Sequence, residues 1–271
     1  MDYLHEMFSL RGKTAVITGG GGVLAGSISE ALLKAGANIS LWGRGHESLD
    51  IAYDNLINVG GTGERLQTVV VDTGDEEALK NAVKVTEKKF GSFEVLVNGV
   101  GGNRGKSSFI ETDIEQFESV LKLNLIAGLM APTKVIAANW IEKKIKGTII
   151  NLASMASYIP LSGVWAYGAA KSGVMNLTMA AAREFAPFGI RVNAIAPGFF
   201  LGKQNKALLI DETSAQLTPR GKAVIDHTPF GRFGDASEIA GCVLFLASDK
   251  ASGFVTGITV PVDGGYLVSN I

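Results

Sequence analysis

Residues 14–26 read TAVITGGGGVLAG, and this stretch decides the fold. Thr14–Thr18 is a strand-like run, four glycines follow it, and an apolar helical pattern begins at Leu24. Glycines between a buried strand and a helix let backbone N–H groups approach a pyrophosphate, and the helix N-terminus favours its negative charge. A glycine run alone could be a tight turn, but its place between a strand and a helix favours a dinucleotide-binding site.

The rest of the chain alternates between short β-rich runs and longer amphipathic ones. The predicted strands are Thr14–Thr18, Ala37–Trp42, Leu66–Asp72, Phe93–Asn98, Gly147–Leu152, Arg191–Ala196 and Gly257–Val262. The predicted helices are Leu24–Ala35, Glu47–Val59, Glu76–Phe90, Ile114–Trp140, Val164–Phe188 and Ser237–Ala247. Near-continuous apolar strands are typical of a parallel sheet covered on both faces. We expect one α/β domain over residues 1–271, a doubly wound (Rossmann) fold with a seven-stranded parallel sheet and helices on both faces.

One segment, Phe199–Phe233, breaks the alternation. It has mixed polarity, contains two prolines, and follows the sixth predicted strand. Ligands of doubly wound sheets bind at the carboxyl ends of the strands. We therefore expect residues 199–233 to form a substrate lid.

Composition narrows the class of partner. The chain has 271 residues with 25 basic and 26 acidic side chains, and a net charge of −1 does not favour nucleic acid or an anionic membrane surface. The single cysteine, Cys242, excludes an internal disulfide and fits a reducing compartment. No apolar run reaches the ~18 residues of a membrane span, and the three histidines are far apart in the sequence. We expect a cytoplasmic protein that binds a small molecule and no metal.

The ends of three further strands carry candidate cofactor contacts. After the second strand, Gly43 occupies the slot where an NAD site usually has an acidic residue, and Arg44 follows it. A guanidinium there can pair with a 2′-phosphate, so the sequence favours NADP over NAD and excludes neither. Asp72, which ends the third strand, is a candidate to form a hydrogen bond with the adenine. Asn98 to Gly101, at the end of the fourth strand, is expected to lie along the adenosine ribose. Either group could instead cap a turn.

Ser154, Tyr167 and Lys171 are the candidate catalytic residues. Tyr167 and Lys171 lie one helical turn apart, so they share a helix face. A free Tyr titrates near ~10, and a neighbouring ammonium lowers that pKa and makes the phenol a usable acid or base. Ser154 follows a predicted strand and could hold the substrate oxygen. A Tyr-x-x-x-Lys pair alone occurs by chance on many helices.

The ordered set Thr18-Gly19, Asn98, Asn124, Ser154, Tyr167 and Lys171 resembles the short-chain dehydrogenase/reductase family over essentially the full chain. The resemblance implies that Ser154 polarises the substrate oxygen and that Tyr167 exchanges the proton. It also implies that Lys171 lowers the pKa of Tyr167 and binds the nicotinamide ribose, and that Asn124 distorts its helix and holds a proton-relay water. Pro197 and Gly198 match the family's loop beside the nicotinamide. Asp263-Gly264-Gly265 matches the family's C-terminal signature near the subunit interface.

Together these observations give the expected cofactor contacts, which are Thr18, Gly19, Gly22, Val23, Leu24, Arg44, Asp72, Asn98, Gly99, Tyr167, Lys171, Pro197 and Gly198. Two departures from the family pattern stand out. Val23 and Ala25 replace the usual second and third loop glycines, and Asn98-Gly99-Val100-Gly101 replaces Asn-Asn-Ala-Gly. With Gly198-Phe199-Phe200-Leu201, these features resemble the D-mannonate oxidoreductase (fructuronate reductase) branch of the family.

That branch implies hydride transfer between NADP or NAD and a sugar acid, with D-fructuronate and D-mannonate as the expected pair. A sugar acid needs amide or cationic donors for its carboxylate and hydroxyls. Asn103, Gln204 and Asn205 lie beside the glycine and Phe-Phe runs that should enter the site, and with Ser154 they are the expected substrate contacts. Arg104, Lys106, Lys203 and Arg220 are further candidates in the same two segments.

Three alternatives stay open. A gluconate 5-dehydrogenase-like enzyme would share the catalytic set. A 3-oxoacyl carrier-protein reductase would share it too and should add a basic patch for its acidic carrier, which the sequence does not offer. A nucleotide-binding regulatory protein could keep the fold without turnover. The resemblance also implies a homotetramer with one interface on the helices Ile114–Trp140 and Val164–Phe188.

Overall fold

The computed structural model describes residues 2–202, 206–211 and 214–269. Its centre is a parallel sheet of seven strands, counted over those residues, in the order β3-β2-β1-β4-β5-β6-β7. The strands are β1 (Thr14–Thr18), β2 (Asn38–Gly43), β3 (Leu66–Val70), β4 (Val95–Asn98), β5 (Thr148–Leu152), β6 (Arg191–Pro197) and β7 (Thr259–Val262). The predicted doubly wound fold is confirmed, and each predicted strand is present with ends shifted by a few residues.

Helices cover both faces of the sheet. They are α1 (Tyr3–Phe8), α2 (Val23–Lys34), α3 (His46–Asn58), α4 (Glu76–Phe90), α5 (Ile114–Leu121), α6 (Ala131–Lys143), α7 (Trp165–Phe185), α8 (Lys206–Leu209), α9 (Pro219–His227), α10 (Ala240–Ala247) and α11 (Asp249–Ser252). A π-helical segment, Lys122–Met130, joins α5 to α6. Shorter 3₁₀ turns lie at Met155–Ser157, Ala186–Phe188, Ala236–Ile239 and Tyr266–Val268.

Alternating strand residues build two apolar layers. In β1, Ile17 packs into the layer that includes Ile28 of α2, whereas Val16 packs into the layer with Trp140 of α6. The three central residues of β1, Ala15, Val16 and Ile17, are fully buried. Successive side chains of a strand point to opposite faces, so near-continuous apolar strands are needed when helices cover both sides.

The strand order reverses beside β1. β1 pairs with β2 on one side and with β4 on the other, and Thr18 is in register with both Trp42 and Asn98. The crossovers from β1 and β4 therefore leave in opposite directions, which opens a crevice at the carboxyl ends of these strands. The glycine loop after β1 lies in this crevice.

The predicted helix Ile114–Trp140 differs from the structure in its middle. The helical run continues through Ile114–Lys143, but residues 122–130 form i→i+5 hydrogen bonds in place of α-helical ones. This run is long and apolar enough to cross a membrane by length and composition, yet 61% of its most apolar window is buried inside the protein. Its apolar side chains therefore pack mainly in the core.

Candidate active site

The glycine loop fits only residues without side chains. Gly19 has φ +66°, and a Cβ there would lie 2.9 Å from the carbonyl carbon of Gly99. A Cβ on Gly21 would lie 2.7 Å from the side chain of Ser48. Gly22 caps α2 with no side-chain hydrogen bond, and the first turn of α2 has no acidic residue. Its backbone N–H groups are therefore available to an anion.

β4 forms the opposite wall of this crevice. The backbone N–H of Gly99 donates to Thr18 Oγ1 at 3.0 Å, which ties the end of β4 to the end of β1. The Asn98 side chain turns away from the crevice and donates to Asn151 Oδ1 at 2.8 Å and Thr133 Oγ1 at 2.9 Å. Its own Oδ1 is buried without a hydrogen-bond partner. The structure therefore gives Asn98 a place in the core and gives Gly99 the wall of the crevice.

Arg44 and Asp72 lie at the outer end of the same edge. Arg44 follows β2 and is exposed, and no hydrogen bond or ion pair engages its side chain among the described residues. Asp72 follows β3, is exposed, and accepts a hydrogen bond from the Gly74 backbone at 2.9 Å. Asp72 thus closes a turn, and its second carboxylate oxygen stays accessible.

Ser154 and Tyr167 come together from different elements. Ser154 lies just beyond β5 and begins the 3₁₀ turn Met155–Ser157, where its Oγ accepts from the Ala156 backbone at 3.1 Å. Tyr167 lies in the first turn of α7 and forms a hydrogen bond with Ser154. Because β5 and α7 are fixed by the sheet, both hydroxyl groups face one point above the strand ends.

Lys171 is buried one turn further along α7. Its side chain is only 5% exposed, and its ammonium donates to the carbonyl of Leu152 at 2.7 Å. The Ser157 hydroxyl donates to the backbone carbonyl of Lys171 at 2.7 Å and so joins α7 to the serine turn. Burial lowers the pKa of Lys171 to about 8. Desolvation penalises the charged ammonium, which a nearby anion or hydroxyl group would stabilise.

The structure alters one expectation about Tyr167. The sequence predicts a pKa lowered by Lys171, but burial raises the pKa of Tyr167, and the hydrogen bond from Ser154 only partly offsets this. The Lys171 nitrogen lies 5.6 Å from the centre of the Tyr167 ring. Desolvation of the phenol, rather than the ammonium charge, sets the direction of the shift in its pKa. The protonated phenol is therefore the favoured state, as a proton donor requires.

Asn124 distorts its helix as the family resemblance implies. It lies in the π-helical segment, and its side-chain amide donates to Gly102 O at 2.7 Å and to Val120 O at 2.9 Å. Its Oδ1 accepts from the Gly102 backbone at 3.1 Å. A Cβ on Gly101 would lie 2.7 Å from Asn124 Oδ1 and 3.1 Å from Lys171 Nζ. Asn124 thus holds the loop after β4 against Lys171.

A cleft of about 410 Å³ connects these groups. Its walls come from the glycine loop, the loop after β4, the serine turn, α7 and the start of the lid segment, and are formed by Gly21, Gly22, Val23, Leu24, Ala25, Gly99, Gly101, Gly102, Leu152, Ala153, Ser154, Tyr167, Lys171, Pro197, Gly198, Phe200, Leu201 and Gly202. A nicotinamide dinucleotide fits this donor set. The pyrophosphate would lie at the glycine loop, where Gly21 and Gly22 leave room and the backbone N–H groups at the start of α2 are free to donate. The opposite end of the cleft holds the hydroxyl groups of Ser154 and Tyr167 and the ammonium of Lys171.

Several wall residues escaped the sequence analysis. Leu152 and Ala153 precede Ser154, and Phe200 and Leu201 follow Gly198, so their positions beside predicted residues were the available signal. Asn103 does not line the cleft. It is exposed, donates to Gly105 O at 2.7 Å, and borders a separate cavity of about 20 Å³. The predicted contacts Gln204 and Asn205 lie outside the described residues.

The described part of the chain holds no group of three or more His, Cys, Asp or Glu side chains arranged for a metal ion. Cys242 is half-buried, and burial raises the pKa of its thiol to about 11. A thiol with so high a pKa stays protonated at neutral pH and is a poor nucleophile.

Comparison with known proteins agrees with this geometry. The family model described as enoyl-(acyl carrier protein) reductase matches residues 22–267. An uncharacterized oxidoreductase, UxuB, of Bacillus subtilis (strain 168) is 39% identical, over 97% of this chain and 97% of that protein. A 2-dehydro-3-deoxy-D-gluconate 5-dehydrogenase of the same strain is 36% identical, over 98% of this chain and 99% of its own.

A solved structure from Haemophilus influenza, provisionally assigned as a D-mannonate oxidoreductase and holding bound NAD, superposes with a TM-score of 0.90. The two sequences are 34% identical, and the superposition covers 98% of this chain and 99% of the Haemophilus chain. The family match, the identity over nearly the whole length and the Ser154, Tyr167 and Lys171 geometry agree. The chain belongs to the short-chain dehydrogenase/reductase family and is an NAD(P)-dependent oxidoreductase that acts on CH–OH groups.

Proposed function

We propose that the protein interconverts a keto sugar acid and its hydroxy acid, with D-fructuronate and D-mannonate as the pair. The observation that carries the proposal is the cleft that Ser154 and Tyr167 share with Phe200, Leu201 and Gly202, at the start of a lid segment whose sequence has mixed polarity. Similarity to the Haemophilus structure assigned to D-mannonate, at a TM-score of 0.90, supports the substrate class.

Each of the four proposed catalytic residues has its own role in the reaction. A bound nicotinamide supplies or accepts a hydride at the substrate carbon. Ser154 holds the carbonyl oxygen by a hydrogen bond, and Tyr167 gives that oxygen its proton during reduction and removes it during oxidation. Lys171 stays positive beside the site and stabilises negative charge that develops on the phenol. Asn124 keeps the Gly101-Gly102 backbone in place and is the fourth proposed catalytic residue.

The proposed cofactor contacts are those of the sequence analysis without Asn98, whose side chain bonds inside the core. They are Thr18, Gly19, Gly22, Val23, Leu24, Arg44, Asp72, Gly99, Tyr167, Lys171, Pro197 and Gly198. We favour NADP, because Arg44 is exposed at the end of β2 and Gly43 leaves the acidic NAD slot empty. The NAD in the Haemophilus structure supports the other choice. Gln204, Asn205 and Ser154 are the proposed substrate contacts, and Asn103 is left out because its side chain bonds to Gly105 and borders a separate cavity.

A gluconate-type dehydrogenase is the second candidate. The 36% identity to a 2-dehydro-3-deoxy-D-gluconate 5-dehydrogenase over 98% of this chain favours it. Both candidates bind an open-chain sugar acid and use the same catalytic groups. Both react at C5, counted from the carboxylate, and their substrates differ at C2 and C3, so contacts near the carboxylate end would decide between them.

Residues 1–271 are proposed to act as a single domain with the lid at 199–233. A homotetramer is proposed, with one interface on the helices around Ile114–Trp140 and Val164–Phe188. Ile126, Met130 and Met179 support this, since each exposes more than two-fifths of its surface on these helices (44%, 43% and 48%). A cytoplasmic location is proposed from the lone, half-buried Cys242.

The test is nicotinamide absorbance with purified protein and either NADPH or NADH. D-Fructuronate, D-tagaturonate, 5-keto-D-gluconate and an acetoacetyl thioester are offered separately as oxidants. We expect D-fructuronate to be reduced with the highest kcat/KM. Preference for 5-keto-D-gluconate would select the gluconate candidate, and preference for the thioester would overturn the sugar-acid proposal.

A further inference from the structure

A cluster of aromatic side chains surrounds Tyr266 behind one wall of the cleft. The Tyr266 ring lies 5.4 Å from the ring of Phe199 and 4.4 Å from that of His227, centre to centre. Phe199 directly follows Gly198, which lines the cleft. The cluster is therefore one residue away from the cleft wall, at the base of the lid.

The turn that carries Tyr266 is fixed to the same wall. Asp263 accepts hydrogen bonds from the backbones of Gly265 and Leu267, both at 2.9 Å, and so holds the 3₁₀ turn Tyr266–Val268 in place. A Cβ on Gly198 would lie only 2.6 Å from the Asp263 Cα. Tyr266 thus has a set position relative to the Gly198 loop.

α9 brings Arg220 to this cluster. Val224 is 6% exposed and marks the inward face of the helix, and Arg220 lies four residues before it and His227 three residues after it. Residues at these spacings share a helix face. The charge of Arg220 acts on the phenol of Tyr266, where it opposes the burial that raises the Tyr266 pKa.

No partner within the described part of the chain explains the position of Arg220. It is half-buried, and among the described residues no carboxylate forms an ion pair with it and no acceptor takes its hydrogen bonds. Its neighbours in the lid differ: Lys222 pairs with Asp226 at 2.8 Å and Arg232 with Glu238 at 2.7 Å.

Helix stability does not account for Arg220 either. It occupies the first turn of α9, where the helix dipole disfavours a cation. Thr218 already caps this end by accepting a hydrogen bond from Gly221 at 3.0 Å. A half-buried guanidinium at this position is best satisfied by an anion from outside the chain.

We propose that Arg220 and Tyr266 form the subsite that binds the carboxylate of the substrate. The inference rests on the proposed function for its ligand, a sugar acid. The guanidinium offers two parallel donors to the two carboxylate oxygens. The Tyr266 hydroxyl donates to the carboxylate or to the adjacent hydroxyl, and the faces of Tyr266 and Phe199 receive the C–H side of the chain. The carboxylate anchor then decides which carbon of the substrate reaches Ser154 and Tyr167.

The test measures binding without turnover. D-Mannonate and D-mannitol have the same arrangement of hydroxyl groups along the chain and differ at one end in charge. Both are already at the alcohol level, so each forms a dead-end complex with the enzyme and saturating NADPH or NADH. Isothermal titration calorimetry gives the Kd of each ligand for the wild-type enzyme, Arg220→Gln, Tyr266→Phe and the control Lys222→Gln.

We expect the wild-type enzyme to bind D-mannonate at least about tenfold more tightly than D-mannitol, since a hydrogen bond to a charged group contributes roughly 1.5–3 kcal/mol. Arg220→Gln should remove that preference and leave the Kd for D-mannitol unchanged, and Tyr266→Phe should reduce it. Lys222→Gln, on the same helix but in an exposed ion pair, should keep it.

An unchanged preference in Arg220→Gln overturns the subsite, and so does a wild-type enzyme that binds the two ligands equally. These results are independent of turnover. Failure to reduce D-fructuronate contradicts the proposed substrate pair, whereas loss of the charge preference in Arg220→Gln still establishes Arg220 as a carboxylate anchor. Where D-fructuronate is reduced, Arg220→Gln should lower kcat/KM by at least about tenfold, because both binding and placement of the substrate are weakened.

Discussion

The ammonium nitrogen of Lys171 lies 5.6 Å from the centre of the Tyr167 ring, on the same face of α7. Lys171 is held there by its hydrogen bond to the carbonyl of Leu152 at 2.7 Å. This arrangement keeps a positive charge close to the phenol without engaging its oxygen directly. The hydroxyl of Tyr167 is thereby left for Ser154 and for substrate.

Replacement of Tyr167 by Phe should remove proton exchange and keep the ring. We expect kcat to fall by about 10²- to 10⁴-fold, the range for loss of a general acid or base. Cofactor affinity, measured by fluorescence titration with NADPH or NADH, should change little because the packing of α7 is retained. An active Tyr167→Phe enzyme would show that another group moves the proton.

Lys171 should give the folded protein a distinctive dependence on pH. Its pKa is about 8 in the folded protein against 10.5 for an ordinary lysine. Between these two values the unfolded chain binds more protons, so the free energy of unfolding rises with pH. Below about pH 8 the burial cost is complete, on the order of 3 kcal/mol, and it disappears as the pH approaches 10.5.

The measurement is urea unfolding of the cofactor-free protein at several pH values from 7 to just below 10, the range in which Tyr167 stays protonated. Lys171→Met lacks the titrating group, and we expect its unfolding free energy to lack the rise between pH 8 and 10 seen in the wild type. Parallel curves for the two proteins would contradict the lowered pKa.

The glycine loop should tolerate no side chain at Gly19. Gly19→Ala places a Cβ against the backbone of Gly99 and forces φ +66° on an L-residue, so we expect a loss of roughly 1–3 kcal/mol in unfolding free energy and weaker cofactor binding. Gly26→Ala is the matched control. Gly26 lies inside α2 with open space around it, and alanine there should stabilise the helix by about 0.5–1 kcal/mol. Equal effects of the two substitutions would argue against a special role for the loop.

Arg44 should decide the cofactor preference. If the guanidinium pairs with the 2′-phosphate, Arg44→Gln lowers kcat/KM for NADPH by about tenfold or more and leaves NADH unaffected. Lys34→Gln, an exposed cation at the far end of α2, should change neither value. The steady-state ratio of kcat/KM for the two cofactors is the measurement. A ratio unchanged by Arg44→Gln would remove the argument for NADP.

The sheet could be predicted from the sequence because strands covered by helices on both faces consist of nearly continuous apolar residues. The π-helical turn at Asn124 was not visible in helical periodicity. It arises from hydrogen bonds between the Asn124 side chain and the distant Gly102 backbone, and such contacts exist only after folding. The short helices α1 and α9 were missed because Tyr3–Phe8 has no buried residue and Pro219–His227 lies in the lid without a core pattern.

The proximity of Tyr167 and Lys171 could be predicted from their spacing, since a helix places residues four apart on one face. The direction of the Tyr167 pKa shift could not be predicted from the sequence, because the burial of the phenol depends on how the folded core packs around it. The raised pKa of Tyr167 is the result. Arg220 had no signal to separate it from other lid cations. Only the structure shows that Lys222 and Arg232 have carboxylate partners and that Arg220 has none within residues 2–202, 206–211 and 214–269.

The close packing of Gly198 on Asp263 has a consequence for protein synthesis. Gly198 belongs to the cleft wall, yet the residue it leans on follows β7, the last strand to leave the ribosome. A nascent chain that already contains Ser154, Tyr167 and Lys171 therefore still lacks the support for this wall. This wall can take its final position only after β7 has joined β6, late in the synthesis of the chain.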